Sequence, residues 1–328
     1  LNWGLSSPRA NPMPESAALA AIALAKPCAL RQRGAVNLRD FILLTLICLI
    51  WAASNVLSKI VVGDWQVPPL FFAAIRFALV LAVTLPWLRP VPRPVWRIVL
   101  IGVLMGAGNF ALLFIGLQTA SPSAAAVVIQ AGVPITTLLS IVLLGERIHW
   151  RRALGIALTL VGVLVVVWRP GLALSAGLVF VLGAAFSGSL GAVLMKQTEE
   201  IAPLRFQAWV ALTACIPLTL ATAAFETGQW SAAISAGWPF LAALLFSALI
   251  VSVIAHTAYY ALIARYEANL LAPLTLITPL ATIALGVMIT GDQLDERMIA
   301  GSAIALLGVL IVAVRRTGAP IAQAQEHA

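Results

Sequence analysis

Residues 145–162 read GERIHWRRALGIALTLVG, and residues 291–308 read GDQLDERMIAGSAIALLG. Both stretches begin with a glycine and an acidic residue, and both carry two further glycines at identical internal spacing. This duplication predicts that the chain contains two copies of one structural unit. The loop that opens the stretch is basic in the first copy. In the second copy it is acidic, and Arg297 is its one basic residue. We therefore expect the two loops to lie on opposite sides of a membrane.

The composition is typical of a membrane protein. Hydrophobic residues make up 62% of the sequence and charged residues 10%, whereas soluble domains carry about 25% charged residues. A spanning helix needs about 20 apolar residues, so the apolar runs between clusters of Pro, Gly and charge predict ten spans with short loops. The predicted spans are 40–60, 68–88, 96–117, 122–144, 152–168, 174–195, 206–224, 239–262, 268–290 and 298–314.

The distribution of Lys and Arg among the predicted loops indicates an orientation. With the N-terminus in the cytoplasm, sixteen of the 20 basic residues lie on the cytoplasmic side and three lie outside, while Arg76 falls inside a span. Cytoplasmic loops of membrane proteins carry such an excess. It accounts for the net charge of +8 without a nucleic-acid partner, and it predicts that both termini are cytoplasmic.

The number of spans in each copy determines the symmetry of the fold. Five is odd, so the second copy enters the membrane inverted, and inverted repeats build transporters whose site lies near the midplane between the halves. We predict an all-α integral membrane fold of ten transmembrane helices, arranged as two inverted five-helix repeats. The predicted segments are a cytoplasmic, disordered tail (1–38), the first repeat (39–170), the second repeat (171–315) and a cytoplasmic tail (316–328).

A set of residues follows a specific order across the two halves. These residues are Trp51 to Lys59 (WAASNVLSK), Arg76-Phe77, Pro134, Gly145-Glu146, Gly155 and Gly162 in the first copy, and Lys196, Pro279, Gly291, Gly301 and Gly308 in the second. Over about residues 39 to 315, this order resembles the drug/metabolite transporter superfamily, specifically proteins with two EamA domains.

The second copy also resembles one branch of that family. Arg265-Tyr266-Glu267, Ala272-Pro273-Leu274 and Pro279 are similar to residues of exporters of cysteine and O-acetylserine, which are bacterial inner-membrane proteins. The resemblance implies export of small polar metabolites, amino acids or related compounds. The implied partners are a small-molecule substrate and the lipid bilayer, a homodimer is left open, and no cofactor is expected.

The second copy departs from the first near its duplicated stretch. Asp292 stands where the family usually has Glu, and the segment from Pro279 to Gly291 is one residue longer than the segment from Pro134 to Gly145. Strict register between the ninth and fourth spans is therefore not expected.

The first span carries a polar face. Trp51, Asn55 and Lys59 are spaced i, i+4 and i+8, which places them on one side of a helix. An unpartnered Asn costs several kcal/mol in hydrocarbon, so this face is expected to meet another helix or a wet cavity, where Asn55 binds a carboxylate or an amine of the substrate. The alternative is an interhelical hydrogen bond by Asn55 and a packing role for Trp51.

Arg76 lies well inside a predicted span, roughly 10 Å from the membrane boundary by helical rise. A charge near mid-span costs on the order of 2.5–3.5 kcal/mol and usually marks a transport pathway. We hypothesise that Arg76 attracts an anionic or zwitterionic substrate. The alternatives are snorkelling to the interface and an ion pair with Asp64.

Further polar side chains inside the spans could line a cavity, although each is also explained as a hydrogen-bonding group between helices. They are Asn109, Gln130, His256, Tyr259 and Tyr260. Four charged residues at span ends are candidates for gates: Lys59 and Lys196, which close the first span of each copy, and Glu146 and Asp292, which follow the fourth. The alternative for the lysines is snorkelling. For the acids it is capping of the following helix, or pairing with Arg151 and Arg297.

Two other classes of function compete with transport. An integral-membrane enzyme acting on lipid-linked substrates would need acid, base or metal-binding residues at one depth, but the three histidines are scattered, and we predict neither catalytic residues nor a metal site. A non-transporting membrane scaffold would use every polar residue structurally. The sequence favours a secondary transporter, and it contains no GxxxxGK[ST] loop for a nucleotide.

Overall fold

Ten apolar helices joined by short connections form the fold in the computed structural model, which describes residues 36–145, 148–168, 175–195, 197–198, 201–266, 271 and 273–313. The helices are α1 Leu38–Asp64, α2 Pro69–Leu88, α3 Val95–Thr119, α4 Pro122–Leu144, α5 Trp150–Val167, α6 Ala176–Met195, α7 Pro203–Phe225, α8 Gln229–Ile263, α9 Leu274–Thr290 and α10 Glu296–Ala313.

Each helix overlaps one predicted span, so the all-α fold of ten membrane helices is confirmed. Over the described residues, nine helices are long and apolar enough to cross a membrane, and α9 is a shorter apolar helix. The largest difference is the start of α8, ten residues before its predicted span, because a kink at Gly237 (φ 64°) joins a further helical segment to it. The predicted tails lie outside the described residues except for 36–38.

The duplicated glycines lie where α5 packs against α10. A Cβ on Gly155 would stand 2.8 Å from the carbonyl oxygen of Gly308, and one on Gly162 would stand 2.6 Å from that of Gly301. No side chain fits at these distances, so the two helices approach each other as only small residues allow. Exchanging the two copies converts one contact into the other, which is the relation expected of inverted repeats.

The glycine that opens each duplicated stretch ends a helix. Gly145 follows α4 with φ 66° and ψ 21°, and Gly291 follows α9 with φ 67° and ψ 31°. No heavy atom would lie within 4 Å of a Cβ at either position, so the backbone rather than space requires glycine. The left-handed conformation costs other residues roughly 1–2 kcal/mol, and the duplication therefore preserves one type of helix cap.

Four described helices contain π-helical turns, which accommodate an extra residue without ending the helix. The turns are Ile60–Asp64 in α1, Val103–Gly108 in α3, Phe246–His256 in α8 and Gly286–Thr290 in α9. By contrast, α4 is α-helical from Gly132 to Leu144. The turn in α9 therefore absorbs the extra residue before Gly291. Helices α4 and α9 therefore differ in register, and both end in a left-handed glycine.

Helices from the two repeats also contact each other in equivalent pairs. The Ser189 hydroxyl of α6 donates to the carbonyl of Gly132 in α4 at 2.9 Å. The Asn55 amide of α1 donates to the Thr282 hydroxyl of α9 at 3.4 Å. Because α1 corresponds to α6 and α9 to α4, exchange of the copies relates the two helix pairs, although the two hydrogen bonds use different positions along the helices.

Candidate functional site

A cavity of about 140 Å³ lies among α2, α3, α6, α7 and α8, and so between the two repeats. We call it the central cavity; its wall consists of Phe77, Met105, Asn109, Phe110, Gly188, Gln207, Val210, Ser252, His256 and Tyr260. At roughly 10–15 Å³ for each water-sized group, it holds about ten such groups, which suits a small metabolite. The wall combines apolar and uncharged polar side chains with one histidine, and it contains no carboxylate.

Arg76 lies directly behind this wall. It extends from α2 with 1% of its surface exposed, and its Nε and Nη2 donate hydrogen bonds to Ser252 Oγ at 3.0 and 2.9 Å. The guanidinium carbon stands 4.5 Å from the centre of the Phe110 ring, which adds a cation–π contact. The alternatives of snorkelling and of an ion pair with Asp64 are therefore not what the structure shows, because the Arg76 guanidinium is hydrogen-bonded inside the bundle.

Two side chains of the wall use their N–H groups on backbone carbonyls. His256 Nδ1 lies 2.7 Å from the carbonyl oxygen of Val251, and Asn109 Nδ2 donates to the carbonyl of Ala184 at 2.8 Å. A carbonyl only accepts, so the hydrogen of neutral His256 is on Nδ1, and the amide nitrogen of Asn109 faces α6. His256 Nε2 and Asn109 Oδ1 have no hydrogen-bond partner among the described residues, and both are acceptors.

Gln207 and Ser252 are polar residues of the wall that the sequence analysis missed. Gln207 lies on α7 with 3% of its surface exposed, and no hydrogen bond joins its amide to another described residue. A buried amide without a partner is costly, which points to a ligand or water in the cavity. In the sequence Gln207 follows Arg205 at the predicted start of a span, where a polar residue is ordinary. Ser252 was missed because serine is common within apolar runs.

The polar face of α1 stands behind His256 rather than in the cavity wall. The Trp51 ring lies 5.2 Å from the His256 ring and 4.8 Å from the Tyr259 ring. Tyr259 is thus placed against α1, and its neighbour Tyr260 lines the cavity instead. Asn55 makes the interhelical hydrogen bond to Thr282, which was the alternative to a substrate contact. Gln130, in the 3-10 turn Ile129–Ala131, also lies outside the wall.

The described gate candidates lie at the end of the bundle where α1 and α9 finish. Lys59 Nζ donates to the carbonyl of Gln118 at 3.0 Å, which joins α1 to the end of α3. Asp292 accepts a hydrogen bond from the Ser123 amide at 2.9 Å and another from the Thr290 hydroxyl at 2.8 Å. Asp292 thus caps the first turn of α4. It does not cap α10, the helix that follows it, which was one alternative drawn from the sequence. Glu146 and Lys196 lie outside the described residues.

A further polar contact between the repeats lies at the opposite end of the bundle. The Tyr266 hydroxyl, after α8, donates to the Asp40 carboxylate at the start of α1 at 2.7 Å. Arg265 lies 4.0 Å from the same carboxylate. Burial and the neighbouring Asp40 raise the pKa of Tyr266, so its hydroxyl remains a donor at neutral pH.

The sequence matches the EamA-like transporter family twice, over residues 39–168 and 175–314. A probable amino-acid metabolite efflux pump of Salmonella typhimurium is 29% identical, with coverage of 85% of this chain and 97% of that protein. The Escherichia coli protein of the same name is 27% identical over 83% of this chain and 94% of its own length. An uncharacterized inner membrane transporter of Escherichia coli, YedA, is 28% identical over 76% and 82%.

One solved crystal structure shares the fold, with a TM-score of 0.55, 20% identity and coverage of 84% of this chain and 96% of that one. Two matched repeats, ten apolar helices and a cavity between the repeats agree with one another. The family match spans most of the sequence. The protein is therefore a membrane transporter and not an enzyme. The chain belongs to the EamA-like transporter family, with two EamA repeats in one polypeptide.

Proposed function

We propose that this protein is a secondary transporter that exports small polar metabolites, amino acids or related compounds, across the bacterial inner membrane by alternating access. Export of amino-acid metabolites is named for two relatives, and the inner membrane for a third. The excess of Lys and Arg on one side of the bundle supports an orientation with both termini in the cytoplasm.

The observation that carries this proposal is the amide of Gln207, which lines the central cavity and has no hydrogen-bond partner among the described residues. In a scaffold, a buried amide would be expected to bond to a neighbouring helix, as Asn55 and Asn109 do. Gln207 instead lines a cavity between the repeats, which is where transporters with inverted repeats bind substrate. The cavity wall lacks a carboxylate and carries one histidine, so it does not offer the paired groups of an acid–base enzyme.

The contacts at the two ends of the bundle provide a physical basis for alternating access. Asp292 of the second repeat holds the start of α4 of the first repeat at one end. Tyr266 of the second repeat holds Asp40 of the first at the other end. Opening the cavity to one side of the membrane requires the helices at that end of the bundle to separate. We therefore expect each open state to break the contact at its own end and to keep the contact at the other end.

Counterflow in proteoliposomes tests the proposal. Vesicles loaded with one unlabelled amino acid at a time should accumulate the matching radiolabelled amino acid above the level of protein-free vesicles, with saturable kinetics. Gln207→Leu should reduce this flux at least tenfold. Thr219→Val, a polar-to-apolar change on the lipid-facing side of the same helix, is the matched control and should transport normally. Equal flux in both variants would remove Gln207 from the site.

A further inference from the structure

Four arginines lie at the end of the bundle where α2 finishes and α3 begins. Arg89 and Arg93 are exposed on the short connection between these helices, and Arg97 follows in the first turn of α3. Arg205 lies on α7, four residues before Trp209, whose indole nitrogen donates to the last carbonyl of α2 at 3.2 Å. Residues four apart share one face of a helix and lie about 6 Å apart along it. Arg205 is therefore level with the connection.

The connection is held against the second repeat and has a restricted backbone. Besides the Trp209 bond, Arg97 Nη1 donates to the carbonyl of Gln197, just after α6, at 3.2 Å. Three prolines occur within residues 90–94, and each proline ring fixes the backbone angle φ. The arginine side chains therefore extend from a backbone with few accessible conformations. Binding a ligand with such a backbone costs less conformational entropy than binding it with a flexible loop.

Among the described residues, no acidic side chain compensates this charge. Arg89, Arg93 and Arg205 make no hydrogen bond or ion pair with a described residue. Of the described carboxylates, Asp40 alone lies at this end of the bundle, and it is buried and bonded to Tyr266. The other described carboxylates lie at the opposite end: Asp64, Glu226, Asp292, Asp295 and Glu296. This end of the bundle therefore attracts anions.

Two exposed tryptophans flank the arginines. Trp87 and Trp96 have 44% and 62% of their surface exposed, and the guanidinium carbon of Arg97 lies 5.3 Å from the centre of the Trp96 ring. Tryptophan is favoured at the boundary between lipid headgroups and acyl chains, which places the arginines at the depth of the phosphates. Arginine binds phosphate through paired N–H groups. We call these residues the arginine surface: Trp87, Arg89, Arg93, Trp96, Arg97 and Arg205.

We propose that the arginine surface binds the phosphate of an anionic phospholipid in the leaflet at this end of the bundle. In the orientation with cytoplasmic termini, that leaflet is the inner one. Clusters of four or more bases beside a membrane helix bind anionic lipids, and each base contributes about fivefold in affinity. A zwitterionic phospholipid carries the same phosphate, but the same four charges repel its ammonium group. The surface therefore prefers an anionic headgroup.

A lipid bound at the arginine surface contacts both repeats. Helices α2 and α3 of the first repeat and α7 of the second carry the four arginines or their connection, and all three helices also line the central cavity. Opening the cavity at this end requires these helices to separate, and arginines of both repeats can share one phosphate only while the helices stay together. We therefore expect anionic lipid to stabilise the state that is closed at this end, whatever molecule the cavity transports.

Two phospholipids with identical acyl chains test the preference. The purified full chain is titrated in micelles with dioleoyl phosphatidylglycerol or with dioleoyl phosphatidylcholine, and native mass spectrometry gives the affinity of the first bound lipid. We expect phosphatidylglycerol to bind at least tenfold more tightly and to raise the temperature of thermal unfolding further. Equal affinities would mean that the four charges are neutralised within the protein, and they would overturn the proposal.

Substitutions locate the site on the arginine surface. Arg93→Gln and Arg205→Gln should each weaken the binding of phosphatidylglycerol about fivefold, and Arg89→Gln combined with Arg93→Gln should weaken it about 25-fold. Binding of phosphatidylcholine should not change. Arg39→Gln is the matched control, because it removes an exposed arginine of α1 at the same end of the bundle, and it should change the affinity less than twofold.

Two outcomes of these substitutions would contradict the proposal. An equal loss of affinity in Arg39→Gln and Arg93→Gln would show attraction to the net charge of this end and not a site. An unchanged affinity in Arg205→Gln would show that the lipid does not contact the second repeat. Because Arg89 and Arg93 are exposed and make no hydrogen bond to a described residue, their replacement is not expected to affect folding.

Discussion

Replacing Ser252 by alanine should expose the dependence of Arg76 on a single hydroxyl group. The Ser252 oxygen accepts from Nε and Nη2 of the buried guanidinium at 3.0 and 2.9 Å and donates to the carbonyl of Ser247 at 3.1 Å. Ser252→Ala removes these bonds and adds no bulk. Arg76 is then left with aromatic contacts and no hydrogen-bond acceptor among the described residues.

The expected loss of stability follows from the charge on Arg76. Hydrogen bonds to charged groups contribute about 1.5–3 kcal/mol, whereas side-chain hydrogen bonds inside membranes average about 0.6 kcal/mol and reach about 1.7 kcal/mol. Because one buried cation makes both bonds, we expect a coupling energy between Arg76 and Ser252 of about 2 kcal/mol. That value lies above the ordinary range for uncharged pairs in a membrane.

A double-mutant cycle measures this coupling. The free energy of unfolding is determined in mixed micelles for the unaltered protein, Ser252→Ala, Arg76→Met and the double variant. Ser247→Ala is the matched control, because its buried hydroxyl has no partner in the part of the chain that the structure describes, and its removal should leave the free energy of unfolding unchanged or raised. If the effects of Ser252→Ala and Arg76→Met simply add, the two side chains are not coupled and the description of the cavity wall is wrong.

Three further predictions test separate parts of the structure. Gln207→Leu should raise the free energy of unfolding by about 1–3 kcal/mol, because it removes a buried amide without a partner, while it abolishes binding of the transported amino acid; a loss of stability would indicate a structural amide. Gly162→Ala should destabilise the protein by about 1–3 kcal/mol through overpacking, since its Cβ would lie 2.3 Å from the Ala305 nitrogen. Gly183→Ala, which meets only a Leu112 methyl group at 3.3 Å, should be tolerated, and equal thermal stability of both glycine variants would contradict the packing of α5 on α10. Asp292→Ala should cost about 1 kcal/mol as a lost helix cap and speed hydrogen exchange at the start of α4; unchanged exchange there would refute the cap.

The spans and their inverted arrangement were predictable because they depend on composition and spacing. Apolar runs of about 20 residues identify membrane helices whatever their neighbours are. The glycines at 145 and 291 were visible as a repeat, and a backbone conformation that favours glycine explains why both copies keep them. The extra residue before Gly291 was also visible, but its accommodation in a π-helical turn was not, since either strain or a π-turn would satisfy the same spacing.

The cavity wall was only partly predictable because it depends on which helices face each other. Asn109 and His256 were selected as polar residues in spans, and both line the cavity. Tyr259 and Tyr260 are adjacent, and a sequence cannot show which of two neighbours points inward when the helix contains a π-turn upstream. Trp51 and Asn55 form a polar face, yet that face meets α8 and α9 rather than the central cavity.

The central claim is that the cavity between the repeats opens alternately to the two sides of the membrane. The most direct measurement is labelling of a single cysteine at Met105 in a protein whose three native cysteines are replaced, with a membrane-impermeant maleimide applied to one side or the other. We expect the residue in the cavity wall to react from both sides and to be protected by the transported amino acid. Thr219→Cys, on the lipid-facing side of α7, should react from neither. A cysteine at position 105 that stays unreactive, or reacts from one side only while counterflow continues, would contradict alternating access through this cavity.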